Sequence, residues 1–127
     1  MKLRIHKNSL RLRLGPSEIA RLLASGRIEE TIHFAPAEGA QLTYALELSP
    51  ALANDLSVRY APREIAVLVP RAQAQQWADG DAVGIGGRID IGDNTVEILV
   101  EKDFACIDRK PERNEDTFPN PKASAAC

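Results

Sequence analysis

Arg4, His6, Arg11 and Arg13 fall at alternate positions on either side of Lys7-Asn8-Ser9, near the start of a 127-residue chain. Period-two alternation puts all four on one face of a two-stranded ribbon, with Leu3, Ile5, Leu12 and Leu14 on the other. With Asn8 and Ser9 as a two-residue turn, His6 opposes Arg11 and Arg4 opposes Arg13. Like charges directly opposed destabilise a sheet, so anions must lie among them. Either Glu29, Glu47, Glu97 and Glu101, on the polar faces of other alternating segments, neutralise the cluster, or a ligand does. Planar guanidinium forks match phosphate and carboxylate oxygens. The expected ligand is therefore a phosphate- or carboxylate-bearing small molecule, held by Arg4, His6, Arg11 and Arg13.

Other chemistries fail on spacing. Gly84-Ile85-Gly86-Gly87 has Ile89 where a dinucleotide fingerprint needs its third glycine, and no Gly-Lys-Ser/Thr follows for a phosphate loop. A bent or bulged strand, or close packing, is the expectation there. Asp79-Gly80-Asp81 and Asp90-Ile91-Gly92-Asp93-Asn94 lack the calcium-loop ladder and read as turns. Neither a Gly-x-Ser-x-Gly elbow nor a His-Glu-x-x-His helix occurs. Cys106, Cys127, His6 and His33 hold no pair at zinc spacing, so no metal site and no cofactor are expected. Trp77, at helical spacing from Ala74, is a core residue.

The elements that position the basic residues form two similar series. Pro16 to Gly26 and Pro70 to Gly80 both read P-x-x-x-A-x-x-Φ-x-x-G, a short helix with proline at its start and glycine at its stop. An offset of 54 (Pro70 minus Pro16) pairs Ala20 with Ala74 and Leu23 with Trp77. A hairpin precedes each helix: residues 2–6 with 10–14, and 56–60 with 64–69. Another follows each: 27–34 with 42–48, and 82–91 with 95–101. The fold class expected is α+β: a duplicated ββαββ unit with eight mostly antiparallel strands, closed as a barrel or half-closed sheet, and two short helices. Closure would protect the strand edges. Residues 1–107 form a single domain of two halves, 1–49 and 56–103. Residues 108–127 form a polar loop and tail, pinned by contacts of Phe104, Cys106 and Phe118.

Composition agrees with a soluble globular domain: 44% apolar, 27% charged and a net charge of -2. The near-neutral balance argues against nucleic acid and membrane surfaces. The longest aliphatic run, Ile65 to Val69, is far below the roughly 20 residues of a membrane span. No secretory signal pattern is present at the start, and two cysteines suit a reducing compartment, so a cytoplasmic location is expected.

The two ends of the chain carry motifs. Lys2-Leu3-Arg4-Ile5 with Asn8-Ser9-Leu10-Arg11-Leu12-Arg13-Leu14, and Glu101-Lys102-Asp103-Phe104-Ala105-Cys106 with Phe118-Pro119-Asn120-Pro121, resemble a family of small bacterial proteins known as a domain of unknown function. The resemblance implies a bacterial single-domain protein and brings no activity with it. The order of strands and helices is also similar, in architecture, to the CYTH triphosphate-tunnel superfamily, an eight-stranded antiparallel barrel lined by charged residues. Its hallmark E-x-E-x-K strand is replaced here by Lys2-Leu3-Arg4-Ile5-His6. Three functions follow: an anion-binding domain; a tunnel-like triphosphate or polyphosphate hydrolase, its acids drawn from Glu29, Glu47, Glu97 or Glu101; or a structural module that forms a homodimer through an open strand edge.

Overall fold

A computed structural model describes residues 1–50, 55–105 and 116–119. The chain runs β1 (Lys2–His6), β2 (Ser9–Leu14), α1 (Pro16–Ser25), β3 (Arg27–His33), β4 (Gln41–Ser49), β5 (Ser57–Ala61), β6 (Glu64–Pro70), α2 (Arg71–Asp79), β7 (Gly84–Ile91) and β8 (Asn94–Lys102). This order is ββαββ twice, and the α+β duplicated unit fits it. Cys106, Cys127 and residues 108–115 of the expected polar loop lie outside the described residues.

The strands form two four-stranded sheets, ordered β1-β2-β8-β7 and β3-β4-β6-β5. Each sheet takes one hairpin from each half. Four strand pairings are antiparallel, and the two central ones, β2 with β8 and β4 with β6, are parallel. The sheets do not close into a barrel, which corrects the closed alternative and removes the tunnel that the CYTH resemblance implied. The edges β1, β7, β3 and β5 carry charged side chains, Arg4, Arg88, Glu29 and Arg59 among them, which disfavour edge-to-edge pairing.

The apolar alternates of both sheets meet in one core. Leu12, Leu14, Ile98 and Val100 come from one sheet, and Ile28, Leu46, Val67 and Val69 from the other; all are buried. Ile19 and Leu22 of α1, and Ala74 and Trp77 of α2, complete the cluster. These buried helix positions are 55 residues apart, whereas Ala20 is exposed. The expected offset of 54 holds at the C-caps, Gly26 and Gly80, and is corrected to 55 through the helices themselves, where Gly15 and Pro70 are the equivalent N-caps and Pro16 corresponds to Arg71. Proline and glycine punctuate a helix end within a residue either way, while burial fixes which positions face the core. Trp77 lies in the core as expected, its indole N–H donating to the Val83 carbonyl at 3.1 Å.

The first hairpin turns at Lys7-Asn8, with Lys7 at φ 49°. Arg4 therefore opposes Arg11, Lys2 opposes Arg13, and His6 opposes Ser9. The expected turn is corrected by one residue, which slips the pairing register by two, changes partners and preserves faces. The Asn8 side chain donates to the Thr95 carbonyl at 2.7 Å, anchoring the turn to the neighbouring β8. Strand β7 pairs continuously with β8 from Gly84 to Ile91, so the glycine run makes no bulge. Close packing is its role at two positions. A Cβ on Gly84 would lie 2.8 Å from the Val100 carbonyl oxygen, and one on Gly87 would lie 3.1 Å from Leu56. Phe118 returns to the domain, its ring 5.8 Å from that of Phe104, and Asp116 accepts from the Ser17 backbone N–H at 3.0 Å.

Candidate functional site

The outward face of the β1-β2-β8-β7 sheet carries three rows of opposed residues. They are Lys2–Arg13–Glu101–Gly84, Arg4–Arg11–Leu99–Gly86 and His6–Ser9–Glu97–Arg88. Alternation puts Leu12, Ile98 and Val100 inward and these residues on the outward face, where Glu101 alone among them is buried beneath its neighbours. Five Lys and Arg side chains therefore share these rows with two glutamates.

The same scaffold recurs in the second sheet. Shifting β1 and β2 forward by 55 residues gives the β5–β6 register, and β8 falls on β4 at an offset of 54. The equivalent rows read Ser57–Leu68–Glu47–Arg27, Arg59–Ala66–Ala45–Glu29 and Ala61–Glu64–Thr43–Thr31. Arg59 takes the place of Arg4, and Glu47 that of Glu101. Here charge is balanced from within. Arg59 donates to Glu47 at 3.0 and 2.5 Å, and Arg27 donates to Glu47 and, at 2.9 Å, to Glu29. These hydrogen bonds, those of Arg59 first and of Arg27 second, hold the Glu47 carboxyl below the usual carboxylate range.

The first sheet is neutralised unevenly. Glu101, 7% exposed, accepts from the Nε atoms of both Arg11 and Arg13, the latter at 2.8 Å. Lys2 Nζ donates to Asp103 at 2.5 Å, and Arg88 to Glu97 at 3.0 Å. Among the described residues no carboxylate pairs with Arg4 or His6. Small residues explain the difference: Ala66 and Ala45 leave Arg59 a clear path to Glu47, whereas Arg11 and Leu99 stand between Arg4 and Glu101.

Arg4, His6, Ser9 and Arg11 line a groove of about 250 Å³. Three of the four expected site residues are thus brought together. Arg13 stands one row away, and through Glu101 it shares a carboxylate with Arg11. A second, larger groove of about 640 Å³ adjoins the first and shares Ser9 and Arg11 with it. Ser9, Leu99, Gly86 and Arg88 escaped the sequence reading. Ser9 comes from the hairpin itself, opposite His6, while the pairing of β2 with β8, across 88 residues of chain, and of β8 with β7 places the other three beside it. The four glutamates considered as catalytic acids each accept from an arginine: Glu29 and Glu47 on one sheet, Glu97 and Glu101 on the other. Among the described residues no group of three or more His, Cys, Asp and Glu side chains could hold a metal ion, and no helix is long and apolar enough to cross a membrane.

Residues 1–122 match a protein-family model described as a family of unknown function (DUF7009). No curated protein and no solved structure matches the chain.

Proposed function

We propose, for a chain that belongs to the DUF7009 family of unknown function, that it is a small cytoplasmic domain binding a phosphate- or carboxylate-bearing molecule on the outward face of β1 and β2. Arg4 and Arg11 supply the guanidinium forks, His6 in its protonated form adds a third cation, and the Ser9 hydroxyl adds a hydrogen bond. Arg13 acts through Glu101, sharing the carboxylate that orients Arg11. One observation carries the reading. Arg59 is held by Glu47, while Arg4, at the equivalent place, faces an open groove with Arg11 opposite and no carboxylate of its own among the described residues. Glu101, shared between Arg11 and Arg13, offsets only part of the charge opposite Arg4, and the repulsion that remains is a cost that an anion in the groove removes.

At low ionic strength, inorganic phosphate and citrate should raise the melting temperature, and Arg4→Ala should abolish the rise while leaving the ligand-free protein as stable as before or slightly more so, because the opposed cations are then separated. The rise should vanish near 1 M salt, where the screening length falls to about 3 Å. If neither anion stabilises the protein at low salt, the basic face is a solvated surface and the reading fails.

A further inference from the structure

The larger groove points to the rest of the ligand. Its eight lining residues are Ser9, Leu10 and Arg11 of β2, Glu97, Ile98 and Leu99 of β8, and Gly87 and Arg88 of β7. They occupy eight places of a three-by-three block of paired residues, and the ninth place is Gly86. Leu10, Ile98 and Gly87 belong to the inward row, with Gly87 against Leu56, so the groove floor there is backbone. The Leu99 side chain stands beside this floor, and the Arg88–Glu97 pair borders it on the other side.

Gly86 is the unusual member. A Cβ there would meet its nearest neighbours, the Ile98 carbonyl oxygen and Leu99 Cδ1, at an ordinary 3.8 Å, and its φ is not positive. Neither packing nor backbone conformation asks for glycine, and a strand interior is weakened by it. In the second sheet the equivalent place is filled by Glu29 and that of Leu99 by Ala45. The first sheet thus has an apolar side chain beside a vacant place where its counterpart has a charged side chain beside a methyl group.

We propose that this block is a platform for a flat ring, so that the ligand joins an anionic head, held by Arg4, His6 and Arg11, to a planar aromatic group lying over Leu99 and the Gly86-Gly87 backbone. The inference rests on the anion site above and adds the ligand's second half. From Arg11 to Gly86 is two strand spacings, about 10 Å, enough for a two-ring system and its linker. The Arg88–Glu97 pair presents a donor and an acceptor to the ring edge, which suits a nitrogen heterocycle.

Calorimetric titration of the full chain at low ionic strength with 2-naphthyl phosphate, inorganic phosphate and 2-naphthol tests it. Covering one ring face removes about 60 Å² of apolar surface from water, so naphthyl phosphate should bind about tenfold more tightly than inorganic phosphate. Gly86→Val, which fills the vacant place with a strand-favouring side chain, should remove most of that advantage while leaving phosphate affinity unchanged and the melting temperature equal or higher. Leu99→Ala, which copies Ala45, should do the same by withdrawing the apolar contact. Equal affinity for naphthyl phosphate and inorganic phosphate overturns the ring platform and leaves the anion site standing. A naphthyl advantage that survives both substitutions places the ring elsewhere and also overturns it. Binding of neither phosphate removes the anion site and the platform together.

Discussion

Two guanidinium groups share Glu101 at a position almost closed to solvent, so the carboxylate cannot be replaced by water when its charge is removed. Glu101→Gln should cost about 1–3 kcal/mol in urea unfolding, the price of leaving charged donors incompletely paired. Inorganic phosphate should recover part of that loss, because Arg11 belongs to both the ion pair and the groove. Glu47 makes a different prediction. Its carboxyl is depressed in the folded protein, first by Arg59 and then by Arg27, so its contribution is fully present above the unfolded-state value, about 4.3. That contribution is lost as pH falls through the lower folded-state value. Melting temperature should therefore drop on acidification below about pH 4.5, and Glu47→Gln should flatten that part of the curve.

Among the elements, β7 separates glycines the fold requires from one it does not. Gly84→Ala would drive a methyl group to 2.8 Å from the Val100 carbonyl oxygen, a backbone atom held in the β7–β8 ladder. It should cost about 1–3 kcal/mol by differential scanning calorimetry, whereas Gly86→Ala should cost nothing. Strands and helices were legible because local patterns announce them: Leu10-Arg11-Leu12-Arg13-Leu14 alternates, and Gly26 ends α1 with φ 82°. Turn positions were less so, since nothing in a lysine side chain signals the φ of 49° that Lys7 adopts. A slip of two residues kept Arg4, His6, Arg11 and Arg13 on one face and misassigned who opposes whom. The carboxylate of Glu101 could be nominated from alternation, but its exclusive claim on Arg11 and Arg13 depended on a parallel pairing that leaves no local trace. The glycine run was legible as a departure from ordinary strand composition; that Gly84 and Gly87 are packed while Gly86 has room for a side chain emerges only from the neighbouring strands.

For the molecule as a whole, the returning segment contributes a measurable share of stability. Phe118 is half-buried, stacks at a tilt on Phe104, and lies 5.4 Å from Lys102 Nζ, so Phe118→Ala should cost about 1–2 kcal/mol and lower the melting temperature by several degrees. The exchange of hairpins between halves reaches further. Because β2 must find β8, and β4 must find β6, each sheet remains an isolated hairpin until strands of the second half exist, and an isolated hairpin is marginal in water; the β1-β2-β8-β7 sheet waits for the last strand of all. During synthesis the first half has no partner to complete either sheet; the β3-β4-β6-β5 sheet has all its strands once β6 has left the ribosome, whereas the β1-β2-β8-β7 sheet and the complete core should appear only after β8 has. Such long-range closure also places folding among the slower small domains. Cutting the chain between residues 52 and 53 should yield two fragments that are each unfolded and that restore the buried environment of Trp77, the sole tryptophan, when mixed. A blue shift in its fluorescence, saturating at equal amounts of the two fragments, would report one protein reassembled from complementary parts.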